Sequence, residues 1–457
     1  MDFTNLQGKK VVVMGLGLLG GGVEVVKWLH KKGAKVLVTD LKRERELRTS
    51  LKEIKKLRNI KFVLGRHREQ DFSSADLIIK NPGVSRDSKF LKIARKNNIP
   101  IESDLSLFFR LFKGEIIGVT GTKGKSTTVS LLSHILKTAK KKFIFGGNIG
   151  QSPLNYLDKN YPLALLEISS WQLEDMAHLK KSPSVACVTT IFPDHLNTYK
   201  NFAEYVQAKK LIYKFQTKKD ILILNADDPI VKKFAQEATA KIFYFSSQKS
   251  INKGIFTKNG AIIFRDSKEH KIINLTEIKT KISINSLLAA ITIASIFKIS
   301  PAIIKKALKS FRGVANRLEF IREINGIKYY NDSTSTVPQS TILALNSLTD
   351  KRNIILISGG ADKGLDFSKM AKKIKENCKS IILLPGTATP KLKPLILNLK
   401  SRPQTIFAKN MKEAVKEANK IAEQNDIVLL SPGCASFGVF KNAYDRAAQF
   451  VAAVKRI

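Results

Sequence analysis

Short apolar runs alternate with segments of helical period along almost the whole chain. That alternation predicts an α/β protein built on mainly parallel sheets, and it falls into three blocks. In the first, residues 11–14 are an unbroken apolar run, read as a buried strand, followed by Gly15-Leu16-Gly17-Leu18-Leu19-Gly20. A helix then runs to about Lys32, and Gly33 ends it. Residues 35–39 form the next strand, closing at Asp40, and residues 77–80 lead into the turn Asn81-Pro82-Gly83. The second block opens with a strand at 115–120, a loop at 121–124 and a helix over about 125–139, whose Val129, Leu132, Ile135, Leu136 and Ala139 make one apolar face. Strands are predicted at 163–168, 184–189 and 221–224, and 255–264 reads as a hairpin turning at Asn259-Gly260. In the third block, strands at 328–330, 353–358, 380–384 and 426–430 alternate with helices, with clear helical period over 411–422, so this is a second doubly wound unit.

At 457 residues the chain has room for about three domains, and the blocks place their limits at 1–103, 104–313 and 314–457. Composition changes the picture in one respect. Lys and Arg number 79 against 38 Asp and Glu, a net charge of +41. The charge is spread, its longest runs are as short as 140–142, and no aromatic residues interleave with a basic stripe. This reads as lysine-rich solvated faces and not as a specific nucleic-acid surface. A positive field still speeds the capture of anionic substrates. The three cysteines, Cys187, Cys378 and Cys434, form no Cys-x-x-Cys pair, so neither a disulfide framework nor a zinc site is expected. The segment MDFTNLQGKK lacks a signal peptide's apolar core, and no apolar run approaches the roughly 18 residues that span a bilayer. No stable membrane insertion and a cytoplasmic location are the expectation.

The candidate chemistry begins at Gly121-Thr122-Lys123-Gly124-Lys125-Ser126-Thr127, between a strand and a helix. Glycines there let backbone N–H groups face phosphate oxygens, and the helix N-terminus adds its dipole. Lys125 suits the β- and γ-phosphates and Ser126 suits Mg²⁺; Val119 stands where the longer phosphate-loop pattern has Gly, so this is the shorter form. Gly15-x-Gly17-x-x-Gly20, with Asp40 some 20 residues on, fits a nucleotide pyrophosphate on a helix N-terminus; its bland alternative is a structural turn. Glu167 closes a buried strand, where it could hold Mg²⁺ or merely cap a helix. On spacing alone Lys209 reads as a solvated helix face. The His of Asp194-His195 is more often structural than a cation or phosphate ligand, while the pair Arg317 and Asp332 is open between a site role and an interdomain ion pair. As a pair on a third domain, Arg317 and Asp332 could clamp ATP as domains close.

Taken in order, GTKGKST, GGNIG at 146–150, LEISSWQLE at 166–174, PDHLNTY at 193–199, AKKLIY at 208–213, LNADDP at 224–229, NRLE, NDS and SPGCASFGVFKN at 431–442 resemble the Mur ligase family of peptidoglycan synthesis over essentially the whole chain. Ser126 after the loop lysine and the SPxCASxxxFKN run are most similar to the family's D-glutamate-adding type. The resemblance implies three domains: a Rossmann-like UDP-binding domain, a central P-loop domain with a parallel sheet, and a Rossmann-like C-terminal domain. It implies a monomer that uses ATP and two Mg²⁺ ions to join UDP-N-acetylmuramoyl-L-alanine to D-glutamate through an acyl phosphate.

Residue by residue, the resemblance assigns ATP to the loop 121–127, Arg317 and Asp332, and metal to Ser126, Glu167, His195 and a carbamylated Lys209. Lys125, Lys209, His195 and Glu167 would be the catalytic set. Gly15, Leu16, Gly17, Leu18, Leu19, Asp40, Asn81, Pro82, Gly83 and Asn148 would take the UDP-sugar, and Lys363, Ser436 and Tyr444 the amino acid. The chain departs from the family pattern in several places. The HNxxN motif reads Ile282-Ser283-Ile284-Asn285-Ser286, Thr334 replaces the lysine of NDSKAT, Lys123 stands where Asn is common, and Ala443 stands where an aromatic ring often packs. A folate polyglutamylating enzyme would lack the first block, a nicotinamide dehydrogenase leaves the second unexplained, and a nucleic-acid binder rests on charge alone.

Overall fold

The computed structural model describes residues 2–18, 20–149, 152–194, 198–278, 282–348 and 351–457. Leu19 and His195 lie outside the described residues. The chain divides into two compact units. One holds residues 1–121, 136–189 and 206–244, the other 122–135, 190–205 and 245–457.

The first unit carries two sheets. The N-terminal one has five parallel strands in the order Ile60–Leu64, Lys35–Asp40, Lys10–Met14, Leu77–Lys80, Ile101–Glu102. The apolar centres of Lys10–Met14 and Leu77–Lys80 are what a sheet covered on both faces requires. Val12 sits opposite Leu37 on one side and Ile78 on the other, and packs with Met14, Phe72, Leu91 and Ala94 beneath. The strand order reverses between Lys10–Met14 and Leu77–Lys80, and a doubly wound sheet opens a crevice at such a point, outside the carboxyl ends of its strands. The second sheet runs Ile144–Gly147, Leu163–Glu167, Glu115–Thr120, Val185–Val188, Ile221–Asn225, Lys241–Ser246, with the pairs up to Ile221–Asn225 parallel.

In the second unit, Gly254–Lys258, Ala261–Arg265 and Glu269–Asn274 form an antiparallel meander. Its first turn is Asn259-Gly260, both at positive φ, the backbone a two-residue hairpin of this twist demands. A six-stranded sheet follows in the order Glu319–Ile324, Ile327–Asn331, Ile427–Leu430, Ile354–Ser358, Cys378–Leu383, Gln404–Phe407, antiparallel at the first pair and parallel in the rest. Leu356 and Leu429 face one core layer, Ile355 and Val428 the other, as alternation along strands dictates. The three cysteines are buried and unpaired. No helix among the described residues is long and apolar enough to cross a membrane.

Candidate active site

The switch point of the N-terminal sheet holds a cavity of about 330 Å³. Gly15, Leu16, Gly17, Leu18, Asn81, Pro82, Gly83 and Asn148 line it. Gly15 has φ 89°, and a Cβ there would meet Asn81 Cβ at 3.0 Å, so the loop and the turn approach as closely as only glycine allows. Asp40 is not a lining residue. Its Oδ2 accepts the N–H groups of Leu16 and Gly17 at 2.9 and 3.1 Å, and its Oδ1 that of Lys42 at 2.9 Å. The carboxylate thereby fixes the shape of the glycine loop from beneath.

Lys80 and Asp104 also line the cavity, neither of them singled out in the sequence, as do Trp171 and Gln172 of the LEISSWQLE run. Lys80 Nζ donates to the carbonyls of Asn81 and Val84 at 3.2 and 3.0 Å and pairs with Asp175 at 2.9 Å, so a buried cation braces the Asn81-Pro82-Gly83 turn. Burial, reinforced by Asp175, pushes the Asp104 carboxyl up to about 6. Burial raises Asp175 as well, against the pull of Lys80. Lys80 and Asp104 are ordinary residue types, and their place at the crevice depends on tertiary neighbours and not on a local pattern.

Glu167, buried at its strand's carboxyl end, stands in register with Val119, one residue before the end of the neighbouring strand. Its Oε1 accepts from Asn148 Nδ2 at 2.9 Å, and its carbonyl accepts Asn148 N–H at 2.8 Å. Gly147 makes this possible: at φ 96°, a Cβ would lie 2.2 Å from the Glu167 carbonyl. Lys209 is buried, with Nζ donating to Thr120 Oγ1 at 3.2 Å.

From Thr120 the chain enters the loop. Gly121 and Gly124 have φ 143° and 89°, and the helix Lys125–Thr138 begins directly after. Thr122 Oγ1 lies 3.1 Å from Tyr205 Oη and accepts Phe192 N–H at 3.2 Å. Lys125 Nζ donates to Thr122 O at 3.1 Å, and Ser126 is buried. Tyr205 went unnoticed in the sequence; burial raises its hydroxyl above the ordinary range.

At the carboxyl ends of the six-stranded sheet, Asp332 Oδ2 accepts from Ser431 Oγ at 2.9 Å and from Ser335 Oγ, and burial raises its carboxyl. Arg317 N–H is bonded to Val314 O at 3.2 Å, one residue before Leu318, whose N–H reaches Asp332 Oδ1 at 3.3 Å. Lys363 Nζ lies 3.4 Å from Asp194 Oδ1 and 3.5 Å from Thr336 Oγ1. The backbones of Ala361 and Ala435 bridge, which sets the Lys363 loop beside buried Ser436. Tyr444 is 57% exposed at the start of the helix Ala443–Val454. In the altered 282–286 segment, Ser283 precedes the helix Ile284–Ile296 without a side-chain cap.

The chain thus holds a crevice on the N-terminal sheet and, described by itself, a loop between the strand Glu115–Thr120 and the helix Lys125–Thr138. The Mur ligase MurD-like N-terminal domain matches residues 9–103, the Mur ligase middle domain 119–293 and the Mur ligase glutamate ligase domain 316–434. The chain belongs to the Mur ligase family. The UDP-N-acetylmuramoylalanine--D-glutamate ligase of Roseiflexus sp. is 39% identical over 97% of this chain and 98% of that protein. The Borreliella afzelii protein of the same name is 40% identical over 98% of each. Among solved structures, the UDP-N-acetylmuramate-alanine ligase of Thermotoga maritima has TM-score 0.64 at 19% identity, covering 98% of this chain and 99% of that one. A MurF ligase from the same organism, in complex with ADP, has TM-score 0.58 at 18% identity, covering 99% and 96%. At these identities the solved structures show a shared fold.

Proposed function

We propose that this chain is the D-glutamate-adding Mur ligase: it uses ATP to join the alanine carboxylate of UDP-N-acetylmuramoyl-L-alanine to the amine of D-glutamate. One observation carries the reading. A single chain holds a phosphate loop and, separately, a crevice at a sheet's switch point, which two different nucleotides, ATP and a UDP-sugar, would explain. The full-length likeness to ligases of one name supports it.

A free carboxylate resists attack by an amine. Transfer of the γ-phosphoryl group to a carboxylate oxygen releases ADP and creates an acyl phosphate. The D-glutamate nitrogen then bonds to the carbonyl carbon, the amine gives up a proton, and inorganic phosphate leaves. Such phosphoryl transfer asks a protein mainly for positioning and charge neutralisation. Lys125 and the backbone N–H groups of the loop hold the phosphates, with Arg317 and Asp332 completing the ATP site. Gly15–Leu18, Asn81–Gly83 and Asn148 hold the UDP-sugar, and Asp40 shapes that loop. Lys363 and Ser436 hold the D-glutamate carboxylates, and Tyr444 belongs to the same amino-acid site.

The oxygens of Ser126 and Glu167 are hard donors that suit Mg²⁺, with His195 and a carbamate on Lys209 as further ligands. Among the described residues no three His, Cys, Asp or Glu groups converge. When bound, two Mg²⁺ would gather negative charge around the transferring group. The enzyme works as a cytoplasmic monomer in this reading.

The test is phosphate release from ATP and Mg²⁺ with UDP-N-acetylmuramoyl-L-alanine, comparing D-glutamate, L-glutamate and other amino acids. We expect release only with both the UDP-sugar and D-glutamate, and a product heavier by one glutamyl residue. Release that follows another amino acid would keep the ligase chemistry and overturn the specificity.

A further inference from the structure

One side chain outside the proposed sites bonds to the loops that carry two of them. Arg446 stands in the first turn of the helix Ala443–Val454 and is fully buried. Its Nε donates to Ser333 Oγ at 3.1 Å, Nη2 to Ser333 O at 2.8 Å and Nη1 to Cys434 O at 3.2 Å. Ser333 Oγ in turn donates to Ala443 O at 2.8 Å, so residue 333 and the helix start are bonded in both directions. Ser333 follows Asp332 of the ATP site, and Cys434 lies two residues before Ser436 of the amino-acid site. The Lys363 loop packs on the same group: a Cβ on Gly360 would lie 3.4 Å from Arg446 Nη1.

The placement is costly. A cation in the first turn opposes the helix dipole, and a buried one gives up its water. Burial brings the guanidinium down to about 10, which leaves it charged at neutral pH. Its three bonded acceptors are neutral oxygens. An apolar side chain of similar volume would fill the space at less cost. What it could not supply is a rigid fork of donors aimed at two separate loops. Around the fork the same loops are joined by Gly433 N–H to Ser335 O and by Ser431 Oγ to Asp332 Oδ2, both at 2.9 Å.

We propose that Arg446 is a positioning residue that locks the loop of Asp332 to the loop of Ser436, so that the ATP and amino-acid sites are set as one unit. The proposal rests on those two residues belonging to the sites given above. Losing the fork removes charge-assisted hydrogen bonds at both loops, about tenfold on each site.

The full chain is compared with Arg446→Lys, which keeps the charge without the fork, and with Ser333→Ala, which removes the hydroxyl between Nε and Ala443 O. The KM values for ATP, D-glutamate and UDP-N-acetylmuramoyl-L-alanine, Tm, and backbone hydrogen exchange of the free protein are measured for each. We expect Arg446→Lys to raise the KM values for ATP and D-glutamate together, about tenfold each, with the UDP-sugar KM within about twofold of wild type. Exchange over 332–336 and 431–436 should quicken together. Ser333→Ala should make the same paired change to a smaller extent. A rise in only one of the two KM values, or faster exchange in only one loop, overturns the proposal. So does a lowered Tm with both KM values at wild type, which is what a merely structural arginine would give. If Arg446→Lys does not fold, Ser333→Ala decides by the same readings. If no amino acid supports turnover in the wild type, the proposed function fails, and the paired exchange still decides the role of Arg446.

Discussion

Asp104 holds a carboxyl group where charge is costly. Its native value of about 6 lies above the ordinary 3.8, so the folded chain binds this proton more tightly than the unfolded chain does. That contribution to stability is fully present below about 4 and is lost as pH rises through about 6. Asp104→Asn has no such loss. Relative to wild type it should gain on the order of 2 kcal/mol between pH 4 and pH 7.5, read as a Tm difference that widens with pH. A difference independent of pH would contradict the burial account. Lys125 makes a different prediction. Its Nζ donates to Thr122 O within its own loop, and the crevice of the N-terminal sheet is lined by other residues. Lys125→Ala should abolish turnover and leave UDP-sugar binding, measured by calorimetry, within about twofold. Lost binding would show that the two nucleotide sites are not separate. Spacing marked Asp40, Lys125 and Glu167 as candidates. It could not show that Asp40 serves its own glycine loop, nor that Asp104 and Lys80 face the crevice, because those facts depend on tertiary neighbours and not on local order.

The helix Ser170–Met176 brings Trp171 and Gln172 to the crevice. Its start is set by a capping box: Ser169 Oγ accepts Gln172 N–H at 3.3 Å, and Gln172 Oε1 accepts Ser169 N–H at 3.0 Å. Ser169→Ala removes the acceptor of the Gln172 N–H and costs about 1 kcal/mol. Because this helix lines the crevice, the variant should raise the UDP-sugar KM several-fold while the ATP KM holds. Equal rises in both would mean the helix start supports the whole fold and not one site. Elements with strong punctuation were legible in advance. The helix ended by Gly33, the hairpin at Asn259-Gly260 and the strands at 77–80 and 115–120 fall where pattern and turn residues put them. Short or half-exposed strands were not: Ile60–Leu64, Ile144–Gly147, Glu319–Ile324 and Gln404–Phe407 have too few buried positions to print a period.

At the scale of the molecule, three sheets of mainly parallel strands follow from the alternation of apolar runs with helical segments, and the family matches span all three blocks. Division into two compact units is not written in any local pattern, since segments 122–135 and 190–205 join the second unit from within the central block. In the proposed function two nucleotide sites serve the making of one bond. It is tested by placing ¹⁸O in the alanine carboxylate of UDP-N-acetylmuramoyl-L-alanine and analysing the phosphate released during turnover with ATP, Mg²⁺ and D-glutamate. Transfer of one labelled oxygen to each phosphate is the expected result, because the carboxylate oxygen leaves with the phosphoryl group as the amide forms. Unlabelled phosphate accompanying amide formation would show that the carboxylate is activated by another route and would contradict the account.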